Sequence, residues 1–328
     1  METSNPQITV LMPAYNAADY IAPAIQSVLD QTFIDFELLI INDGSTDDTL
    51  AVINTFDDQR IVVITQPNGG VACALNTGLI YARAPYIARF DADDICYPKR
   101  LETQYDFMVS NPEYDILGSA VDYTDMHGQH VFNFQPPAYS NEQIRQLNYT
   151  VCPFIHSSVF YKKEVIIGFG GYDKSAYSFE DHLLWRNILR SVKAFNFSQP
   201  LIKVRLNPES ITIDEKWRSR EFRRIKYTAL KNGYISAEEG QQLKAIGKMQ
   251  GNDTIKHGAY HALLGKKFLW NNHQPLKARE NLKKVIVINR LDWKSYILFL
   301  LSFLPANALL KLYNVGKFKA MGGLEHEN

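Results

Sequence analysis

Three aspartates lie within four residues in the stretch Asp91-Ala92-Asp93-Asp94, directly after the mostly apolar run Tyr86–Phe90. Carboxylates placed this close repel one another, so such a cluster usually serves a cation. Hard oxygen ligands suit Mg²⁺ or Mn²⁺, which proteins often share with the phosphates of a substrate. The stretch could equally be a capping loop, with Asp93 or Asp94 accepting from the helix that Pro98 helps to open. These residues alone leave metal binding and helix capping as open alternatives.

A second pair of acids, Glu180 and Asp181, follows the glycine-rich segment Gly168–Asp173 and begins a helical pattern that runs through Leu189. Acids in the first turn of a helix complement its dipole, and this structural role accounts for most such pairs. A carboxylate beside a ligand site can instead take a proton from a substrate hydroxyl, as a general base does. The glycines ahead of the pair would let that segment act as a flexible lid over a bound ligand.

The first hundred residues predict the elements that would position these side chains. Predicted strands cover Ile8–Met12 (ended by Pro13), Phe36–Ile41, Ile61–Ile64 and Tyr86–Phe90, and a helical pattern follows each of them. Strands that alternate with helices form a parallel sheet, and open sheets of this kind bind ligands at the carboxyl ends of their strands. We therefore expect an α/β fold with a doubly wound, mostly parallel sheet, followed by a helical C-terminal region.

Four polar loops would meet at that edge of the sheet. They are Pro13–Asn16, the turn that begins at Asp43, Asn68–Gly70 and Asp91–Asp94. Asp43 could accept from a base or a ribose, and paired glycines before a helix suit the close approach of a phosphate, although a plain loop would need the same residues. Together the four loops predict a nucleotide-type site.

The later part of this region adds fewer signals. We expect a fifth strand at Asp115–Ser119, an irregular insertion over residues 122–141 and a strand at His156–Phe160 that opens onto the site. His156 is a candidate for contact with a donor or an acceptor, although a histidine satisfied within the fold is the commoner case. His182 is assigned to such a structural role.

The ordered series of motifs resembles family 2 glycosyltransferases, which are inverting enzymes with the GT-A fold. The resemblance covers roughly the first 205 residues and rests on several motifs in order. Its motifs are Val10–Asn16, Ser27–Thr32, Glu37–Asp47, Asn68–Gly70, Asp91–Asp94 and the Glu180-Asp181 pair.

The resemblance implies roles for matching residues. Pro13, Ala14 and Tyr15 would line the nucleotide, Asp43 would hold its base and Asn68 would lie beside it. Asp91, Ala92 and Asp93 would form the Asp-x-Asp motif, whose two aspartates hold the metal and the diphosphate. Asp181 would be the general base, and Glu180 would orient the site or the acceptor.

The implied reaction is the transfer of a hexosyl or N-acetylhexosaminyl group from a nucleotide-diphosphate sugar, expected to be a UDP-sugar. The acceptor would be a glycan or a lipid-linked saccharide, and Mn²⁺ or Mg²⁺ would assist. The alternative is a nucleotide-sugar binding or scaffold protein without transfer activity, against which the intact Asp91, Asp93 and Asp181 argue. Sugar nucleotidyltransferases and NAD dehydrogenases are disfavoured because no glycine-rich signature follows the first strand.

Charge divides the chain into two regions. Its 328 residues are 46% hydrophobic and 21% charged, which is typical of a globular protein with an ample core. Residues 1–213 hold 14 Lys/Arg and 25 Asp/Glu, whereas residues 214–328 hold 21 and 10. We therefore expect a catalytic domain over 1–213 and a basic helical region over 214–328. The three scattered cysteines and the polar N-terminus favour a cytoplasmic protein without a signal peptide.

The basic region predicts helices near 217–227, 236–249, 255–270, 275–289 and 293–313. Within the last of these, the run Tyr296–Leu304 is strongly apolar but too short to span a bilayer. It could pack inside the helical region or in a dimer interface, or it could lie on an anionic membrane surface. No nucleic-acid-binding module accompanies the positive charge, so no nucleic acid partner is expected. The flanking basic residues are Lys283, Lys284, Arg290, Lys294, Lys311, Lys317 and Lys319.

Overall fold

The structure is a computed structural model that describes residues 5–147, 149, 151–208, 218–250, 253–305 and 307–312. Its strands are β1 (Ile8–Ala14), β2 (Phe36–Asn42), β3 (Ile61–Thr65), β4 (Tyr86–Arg89), β5 (Ile95–Cys96), β6 (Ile116–Thr124), β7 (His130–Phe134), β8 (Phe160–Lys162) and β9 (Ala194–Arg205). Its helices begin with α1 (Ile21–Leu29), α2 (Thr49–Ile53), α3 (Val71–Tyr81), α4 (Arg100–Ser110), α5 (Asn141–Gln146), α6 (Lys163–Gly168) and α7 (Glu180–Ile188). They continue with α8 (Arg220–Asn232), α9 (Ala237–Gln250), α10 (Asp253–Trp270), α11 (Pro275–Ile288) and α12 (Trp293–Leu301).

The strands form one mixed sheet in the order β3-β2-β1-β4-β8-β6-β9-β5, with β7 paired to β6. β1 runs parallel to β2 and β4, and β2 runs parallel to β3, as the sequence predicts. β8 is antiparallel to both β4 and β6, and β5 is antiparallel to β9. Almost every residue of β1 and β2 is buried, which is why both read as continuous apolar runs rather than alternating ones.

The register of the parallel strands brings their carboxyl ends to one edge. Ala14 lies opposite Asn42, and Asn42 lies opposite Thr65, so β1, β2 and β3 end side by side. The ladder between β1 and β4 places Leu11 opposite Arg89, and the Asp91 stretch follows directly. The predicted meeting of the polar loops at this edge follows from that register.

β1 continues through Pro13 to Ala14, two residues beyond its predicted end at Met12. Leu11 O accepts from Phe90 N at 3.0 Å, so the backbone N–H and C=O groups of Leu11 point toward β4. Backbone groups alternate in direction along a strand, so those of Pro13 also point toward β4 and those of Met12 point toward β2. The ladder with β4 ends at Leu11, and the missing N–H of Pro13 therefore interrupts no hydrogen bond.

The predicted irregular insertion over 122–141 is wrong, because these residues form a hairpin followed by the start of a helix. β6 runs to Thr124 and turns through Asp125–Gly128 into β7, with Gly128 at a φ of +80° and its N–H bonded to Asp125 O at 3.0 Å. α5 then begins after Ser140, which forms a reciprocal capping box with Gln143.

The strand predicted at His156–Phe160 begins only at Phe160. His156–Ser158 form a 3₁₀ turn instead, in which Ile155 O accepts from both Ser158 N at 2.9 Å and Ser158 Oγ at 2.8 Å. The serine hydroxyl thus offers the backbone a local partner that competes with a strand ladder.

The chain divides into two compact units. The first comprises Met1–Asp122, Asn133–Val204 and Arg220–Ala245, and the second comprises Tyr123–Phe132, Arg205–Ser219 and Ile246–Asn328. The predicted boundary between residues 213 and 214 lies outside the described residues. The predicted basic amphipathic helix is observed as α8, although Trp217, at its predicted start, also lies outside them. Arg186 of α7 holds α8 in place by donating to Leu230 O at 2.7 Å and Lys231 O at 2.9 Å.

The C-terminal region is helical, as predicted. α9, α10 and α11 agree closely with the expected spans, whereas the helix expected over 293–313 is observed as α12 and, after Pro305, a helical stretch over 307–312. Lys317 and Lys319 lie outside the described residues. Among the helices that the structure describes, none is long and apolar enough to cross a membrane.

Candidate active site

The loop after β1 is fixed against the turn after β2. Asn16 has a left-handed backbone with a φ of 48°, which asparagine tolerates better than most residues. Its Oδ1 accepts from Thr46 N at 2.8 Å, and its own N–H donates to Ser45 Oγ at 3.1 Å. The Pro13–Asn16 loop is thereby held beside the turn that Asp43 begins.

Asp43 is buried at the end of β2 and organises the loop that follows β3. Its Oδ1 accepts from Gln66 Nε2 at 2.6 Å and from Gly69 N at 3.0 Å, while Oδ2 accepts from Gly70 N at 2.8 Å. Asp43 therefore already accepts three hydrogen bonds within the fold. A carboxylate has about four acceptor positions, so one remains for a ligand.

Two glycines allow these loops to approach each other. Gly44 has a φ of +71°, and a Cβ at this position would come within 2.7 Å of Asn68 N. Gly70 has a φ of +84° and immediately precedes α3. Any other residue at either position would strain the backbone beside Asn68.

Arg89 ends β4 and is the buried cation of the site. Its Nη1 donates to Asp91 Oδ2 in an ion pair, in which 4% of the Arg89 side chain and 36% of the Asp91 side chain are exposed. Burial disfavours the guanidinium charge, but the attraction and the hydrogen bond of Asp91 outweigh this cost and raise the pKa of Arg89. Asp91 is thus held from the protein side while its other face remains accessible.

The 3₁₀ turn His156–Ser158 is braced against this ion pair. Ser157 Oγ accepts from Asp91 N at 3.2 Å, and Val159 O accepts from Arg89 N at 3.0 Å. The turn that replaces the predicted strand therefore brings His156 to the aspartate motif.

His156 is a neutral histidine in this environment. Burial lowers its pKa well below the ordinary value, and the Arg89 charge adds to the effect. Its Nε2 lies 3.2 Å from Tyr172 Oη, and the tautomer decides which atom donates. A neutral ring can accept a hydrogen bond or bind a cation at neutral pH.

Glu180 and Asp181 are the first two residues of α7, where the helix dipole favours negative charge. Ser178, just before the helix, has a φ of 70°, which is uncommon for a residue other than glycine. Asp181 Oδ1 accepts from His182 N at 2.7 Å, so the backbone of α7 fixes this carboxylate.

The two carboxyls ionise differently because their surroundings differ. Burial raises the pKa of Glu180 to about 8, and the neighbouring Asp181 charge contributes to the rise. Burial also raises the pKa of Asp181, but the His182 N–H and the Arg89 charge oppose the change. The raised pKa of Glu180 keeps its proton at neutral pH, whereas the His182 N–H and the Arg89 charge favour the anionic form of Asp181. Two acids whose environments separate their ionisation in this way can take different chemical roles.

The same three side chains could also hold a cation. His156, Glu180 and Asp181 each offer one ligand atom, and these atoms lie within 4.8 Å of one another. Nitrogen and carboxylate ligands together suit a divalent ion. Among the described residues this is the one group of three or more such side chains whose ligand atoms lie so close, and Asp91 and Asp93 are not part of it.

Glu180→Gln is expected to remove a pH dependence of stability. Between pH 4.5, the ordinary carboxyl value, and about 8, the folded chain holds a proton on Glu180 that the unfolded chain has released. Stability therefore falls as pH rises through this window, and glutamine, which mimics the protonated acid, should abolish that fall. We expect the variant to gain about 2–4 kcal/mol relative to wild type between pH 5 and pH 9.

Urea unfolding at a series of pH values, followed by tryptophan fluorescence, measures this difference. Glu164→Gln is the matched control, because Glu164 is an exposed acid in the first turn of α6, outside the site. Parallel stability profiles for wild type and Glu180→Gln would mean that Glu180 ionises as an ordinary surface acid.

The glycine-rich segment before α7 is tied to α3. Asn76 Nδ2 donates to Tyr172 O at 2.8 Å, and Tyr172 N donates to Asn76 Oδ1 at 2.8 Å. A Cβ on Gly171, whose φ is +76°, would come within 2.5 Å of the same amide oxygen. The segment is therefore anchored at Tyr172, and its action as a lid stays a prediction.

The structure brings the predicted residues together in two adjoining groups. Ala14, Asp43, Ala92 and Glu180 are buried, Pro13, Asp91, Asp93, His156 and Asp181 are half-buried, and Tyr15 and Asn68 are exposed. Hydrogen bonds join the loops of the first three strands into one group and join Asp91 with the His156 turn into the other. The charges of Asp91 and Arg89 also act on Glu180, which links α7 to the second group.

Sequence reasoning missed Arg89, which it included in an apolar strand. A charged residue at the end of a buried strand requires a partner, and the aspartates that follow were available as one. This signal would have identified the ion pair. Ser157 and Tyr172, in contrast, carried no local pattern that indicated their contacts.

Comparison with known proteins identifies the family. The profile of glycosyl transferase family 2 matches residues 9–169. The amylovoran biosynthesis glycosyltransferase AmsE of Erwinia amylovora is 30% identical over 237 residues, which cover 69% of this chain and 88% of the relative. This chain belongs to glycosyl transferase family 2. A second relative, the O-antigen biosynthesis glycosyltransferase WbnJ of Escherichia coli, is 30% identical over 209 residues, covering 62% of this chain and 81% of the relative.

Solved structures support the GT-A fold of this family 2 member. The S. aureus TarS fragment 1–349 in complex with UDP-GlcNAc has a TM-score of 0.53 and 16% identity, over 94% of this chain and 92% of that one. The mannosyltransferase PcManGT of Pyrobaculum calidifontis, in complex with GDP-Man and Mn²⁺, also has a TM-score of 0.53 and 16% identity, over 95% and 87%. At this identity the likeness concerns the fold alone, and it confirms the predicted fold class.

Proposed function

We propose that this protein is an inverting glycosyltransferase that moves a sugar from a nucleotide-diphosphate donor, favoured to be a UDP-sugar, to an acceptor hydroxyl. The observation that carries the proposal is the unequal acid pair at the start of α7. The Arg89 charge acts on both carboxyls, the Asp91 charge acts on Glu180, and ligand atoms of the pair lie within 4.8 Å of one on His156. A base with a raised pKa, next to an aspartate motif that suits a diphosphate, is what sugar transfer to a hydroxyl requires.

In the proposed reaction the acceptor oxygen attacks the anomeric carbon from the side opposite the nucleotide. The bond from that carbon to the diphosphate oxygen breaks with its electron pair, and the configuration inverts. Asp181 takes the proton of the acceptor hydroxyl. Glu180 keeps its own proton and can therefore donate a hydrogen bond to an acceptor oxygen, which orients the acceptor.

Asp91 and Asp93 are proposed to hold a divalent ion, Mn²⁺ or Mg²⁺. Both are half-buried and offer hard oxygen ligands, whereas Asp94 of the same stretch is buried. When bound, the ion would supply positive charge to the departing diphosphate. Arg89 keeps Asp91 oriented from the opposite side through its ion pair.

The nucleoside is proposed to lie along Pro13, Ala14 and Tyr15, with Asn68 beside it and Ala92 near the diphosphate. Asp43 would use its remaining acceptor position for the base. The complexes of TarS with UDP-GlcNAc and of PcManGT with GDP-Man support a nucleotide-diphosphate sugar as the donor class. A screen of donors that carry either kind of sugar decides whether the transferred group is a hexosyl or an N-acetylhexosaminyl residue.

A glycan or a lipid-linked saccharide is the proposed acceptor. The names of two relatives, an amylovoran and an O-antigen biosynthesis glycosyltransferase, support a role in the assembly of such polymers. A lipid-linked acceptor would place the enzyme at the cytoplasmic face of a membrane. His156, beside the acid pair, is the proposed contact for the acceptor or the donor.

A donor screen tests the proposal. Purified protein with Mn²⁺ or Mg²⁺ is mixed with a panel of nucleotide sugars, and thermal stabilisation and release of nucleoside diphosphate are followed. We expect one donor to stabilise the protein only with metal and to be hydrolysed slowly. If no nucleotide sugar stabilises the protein, with or without metal, the proposed site is refuted. If a donor binds but neither transfer nor hydrolysis is measured, the scaffold alternative takes its place.

Two variants in the same screen locate the ion. Asp93→Asn should abolish the metal dependence of donor stabilisation if the Asp91–Asp93 motif holds the ion. His156→Asn should leave that dependence unchanged. The reverse result would assign the ion to the group formed by His156, Glu180 and Asp181.

A further inference from the structure

Helix α12 of the second unit presents an apolar side to solvent. Trp293, Tyr296, Ile297 and Leu300 of α12 recur at spacings of three and four residues and are 64%, 40%, 47% and 69% exposed. Phe303, just beyond the helix, continues the row at 58% exposed. These five residues form the α12 outer face. The polar Ser295 and Ser302, in contrast, are buried.

Contacts with Arg279 of α11 fix this orientation, and local hydrogen bonds satisfy the buried serines. Ser295 Oγ donates to Asp292 Oδ2 at 2.7 Å, and Ser302 Oγ donates to Phe299 O at 2.5 Å. Arg279 of α11 donates through Nη2 to Ser302 O at 2.8 Å and lies with its guanidinium 3.8 Å from the centre of the Phe303 ring. The two serine bonds lie within the α12 segment, but turning the apolar row inward would break both contacts of Arg279 and expose the buried Ser295 and Ser302.

More apolar and basic side chains adjoin the α12 outer face along the chain. Val287, in the last turn of α11, and Leu291, between α11 and α12, are 77% and 89% exposed. Residues 275–312 contain seven Lys/Arg and two Asp/Glu, a net charge of +5. The exposed cations nearest to the row in the sequence are Lys283, Lys284, Arg290, Lys294 and Lys311.

We propose that the α12 outer face docks on the surface of an anionic lipid bilayer. Its apolar row would enter the boundary between headgroups and acyl chains, while the surrounding lysines and arginines would contact lipid phosphates. Trp293 and Tyr296 suit this boundary, because their rings are apolar at one end and polar at the other. The proposal names the surface that would bring the enzyme to a lipid-linked acceptor, but the docking itself does not depend on the proposed transfer.

Charge argues against a second copy of the chain as the occupant. In a two-fold dimer the same surface meets itself, so two segments of net charge +5 would face each other. Nucleic acid would satisfy the charge but would leave the exposed aromatic and aliphatic side chains without an apolar partner. An anionic bilayer complements both the charge and the apolar row.

The geometry fits a helix lying along the membrane rather than through it. Nine residues of α helix extend about 14 Å at 1.5 Å per residue, whereas the apolar core of a bilayer is about 30 Å thick. α12 would therefore lie in the plane of the interface, with the hydrogen bonds of Ser295 and Ser302 on its protein side.

Vesicle flotation of the full-length protein tests the docking. Vesicles of phosphatidylcholine, with or without phosphatidylglycerol, are mixed with the protein and floated on a density gradient at several salt concentrations. We expect flotation with the anionic vesicles, at least 10-fold weaker binding to the neutral ones, and loss of binding as salt increases. The measurement requires no donor, metal or acceptor, so its failure would leave the proposed transfer reaction untouched.

Two sets of substitutions separate the apolar and the charged contributions. Ile297→Ser with Leu300→Ser should weaken binding by at least 10-fold, because the apolar row is shortened at its centre. Lys283→Gln, Arg290→Gln and Lys294→Gln together should weaken it on the order of 100-fold, since each charge contributes about 5-fold. Ile80→Ser with Val109→Ser is the matched control, because both residues are exposed apolar side chains of the first unit.

Without vesicles, every variant should unfold cooperatively on heating at a temperature near that of wild type, which shows that it is folded. Absence of flotation with anionic vesicles would overturn the proposal, as would equal loss of binding in the control variant. Dimers that dissociate on Ile297→Ser/Leu300→Ser, without vesicle binding, would assign the face to a second copy. If a chain that ends at residue 312 floats and the full chain does not, residues 313–328 are the occupant and the proposal fails.

Discussion

Asp181→Asn is expected to abolish most sugar transfer while leaving donor binding intact. Asparagine has the size of aspartate and can keep the hydrogen bond from His182 N to the Oδ1 atom, which measures 2.7 Å. It cannot take the proton of the acceptor hydroxyl, so the rate of transfer should fall by about 10²–10⁴-fold or more. The metal-dependent thermal stabilisation by the donor should stay within the wild-type range.

A residual rate in this variant would come from Glu180. The Asp181 charge contributes to the raised pKa of Glu180, so its removal should let Glu180 ionise at lower pH. Residual transfer should therefore rise with pH and disappear in Glu180→Gln/Asp181→Asn. Glu164→Gln, which changes an acid in the first turn of α6, should transfer at the wild-type rate. Transfer that survives Asp181→Asn at full rate would exclude Asp181 as the base.

The first four strands could be predicted because their signals are local. β1, β2 and β4 are short apolar runs with polar residues directly behind them, and parallel strands must end at a common edge. Asp43, Asp91 and Asp181 follow from the same logic, since each lies where a strand ends or a helix begins. The local sequence thus indicated that carboxylates were available for catalysis and binding, and that they lie at the carboxyl edge of the parallel strands.

The contacts that shape the site could not be predicted, because they join residues far apart in the sequence. The Asn76 side chain forms hydrogen bonds with the backbone of Tyr172, 96 residues away in the sequence. Ser157 accepts from Asp91 N, which is 66 residues away. The 3₁₀ turn at His156–Ser158 read as a strand, because its serine hydroxyl bond to Ile155 O is invisible in a pattern of apolar residues. Such pairings depend on the assembled fold.

α12 illustrates a different limit of sequence reasoning. The run Tyr296–Leu304 is apolar on nearly all sides, so its composition does not indicate which side packs inward. The two serines indicate the answer, because both are buried with local hydrogen-bond partners and Ser302 O also accepts from Arg279 of α11. In an apolar helix, the few polar residues can therefore determine which apolar residues remain exposed.

Arg89→Met is expected to have the second large effect, because it removes the cation that balances the site. The variant leaves Asp91 and the acid pair without their buried partner, which typically costs about 3–5 kcal/mol of unfolding free energy. It should also shift the pH dependence of transfer. The Arg89 charge lowers the pKa values of Glu180 and Asp181, so both should rise in its absence. Because transfer requires ionised Asp181, the acidic limb of the rate profile should move to higher pH.

Arg100→Met is the matched control for this shift. Arg100 is equally buried, but it donates to Arg89 O at 2.7 Å and to Gln104 Oε1 at 3.1 Å rather than to a carboxylate. Its loss should destabilise the fold while the acidic limb stays in place. Arg89→Lys should retain the limb as well, since it keeps the charge, and Arg89→Gln, which also removes the charge, takes the place of Arg89→Met if that variant does not fold. If Arg89→Met and wild type have the same acidic limb, Arg89 has only a packing role. The same conclusion follows if the limb moves equally in Arg100→Met. A shift confined to the loss of the Arg89 charge would identify Arg89 as a residue that lowers the pKa of the base.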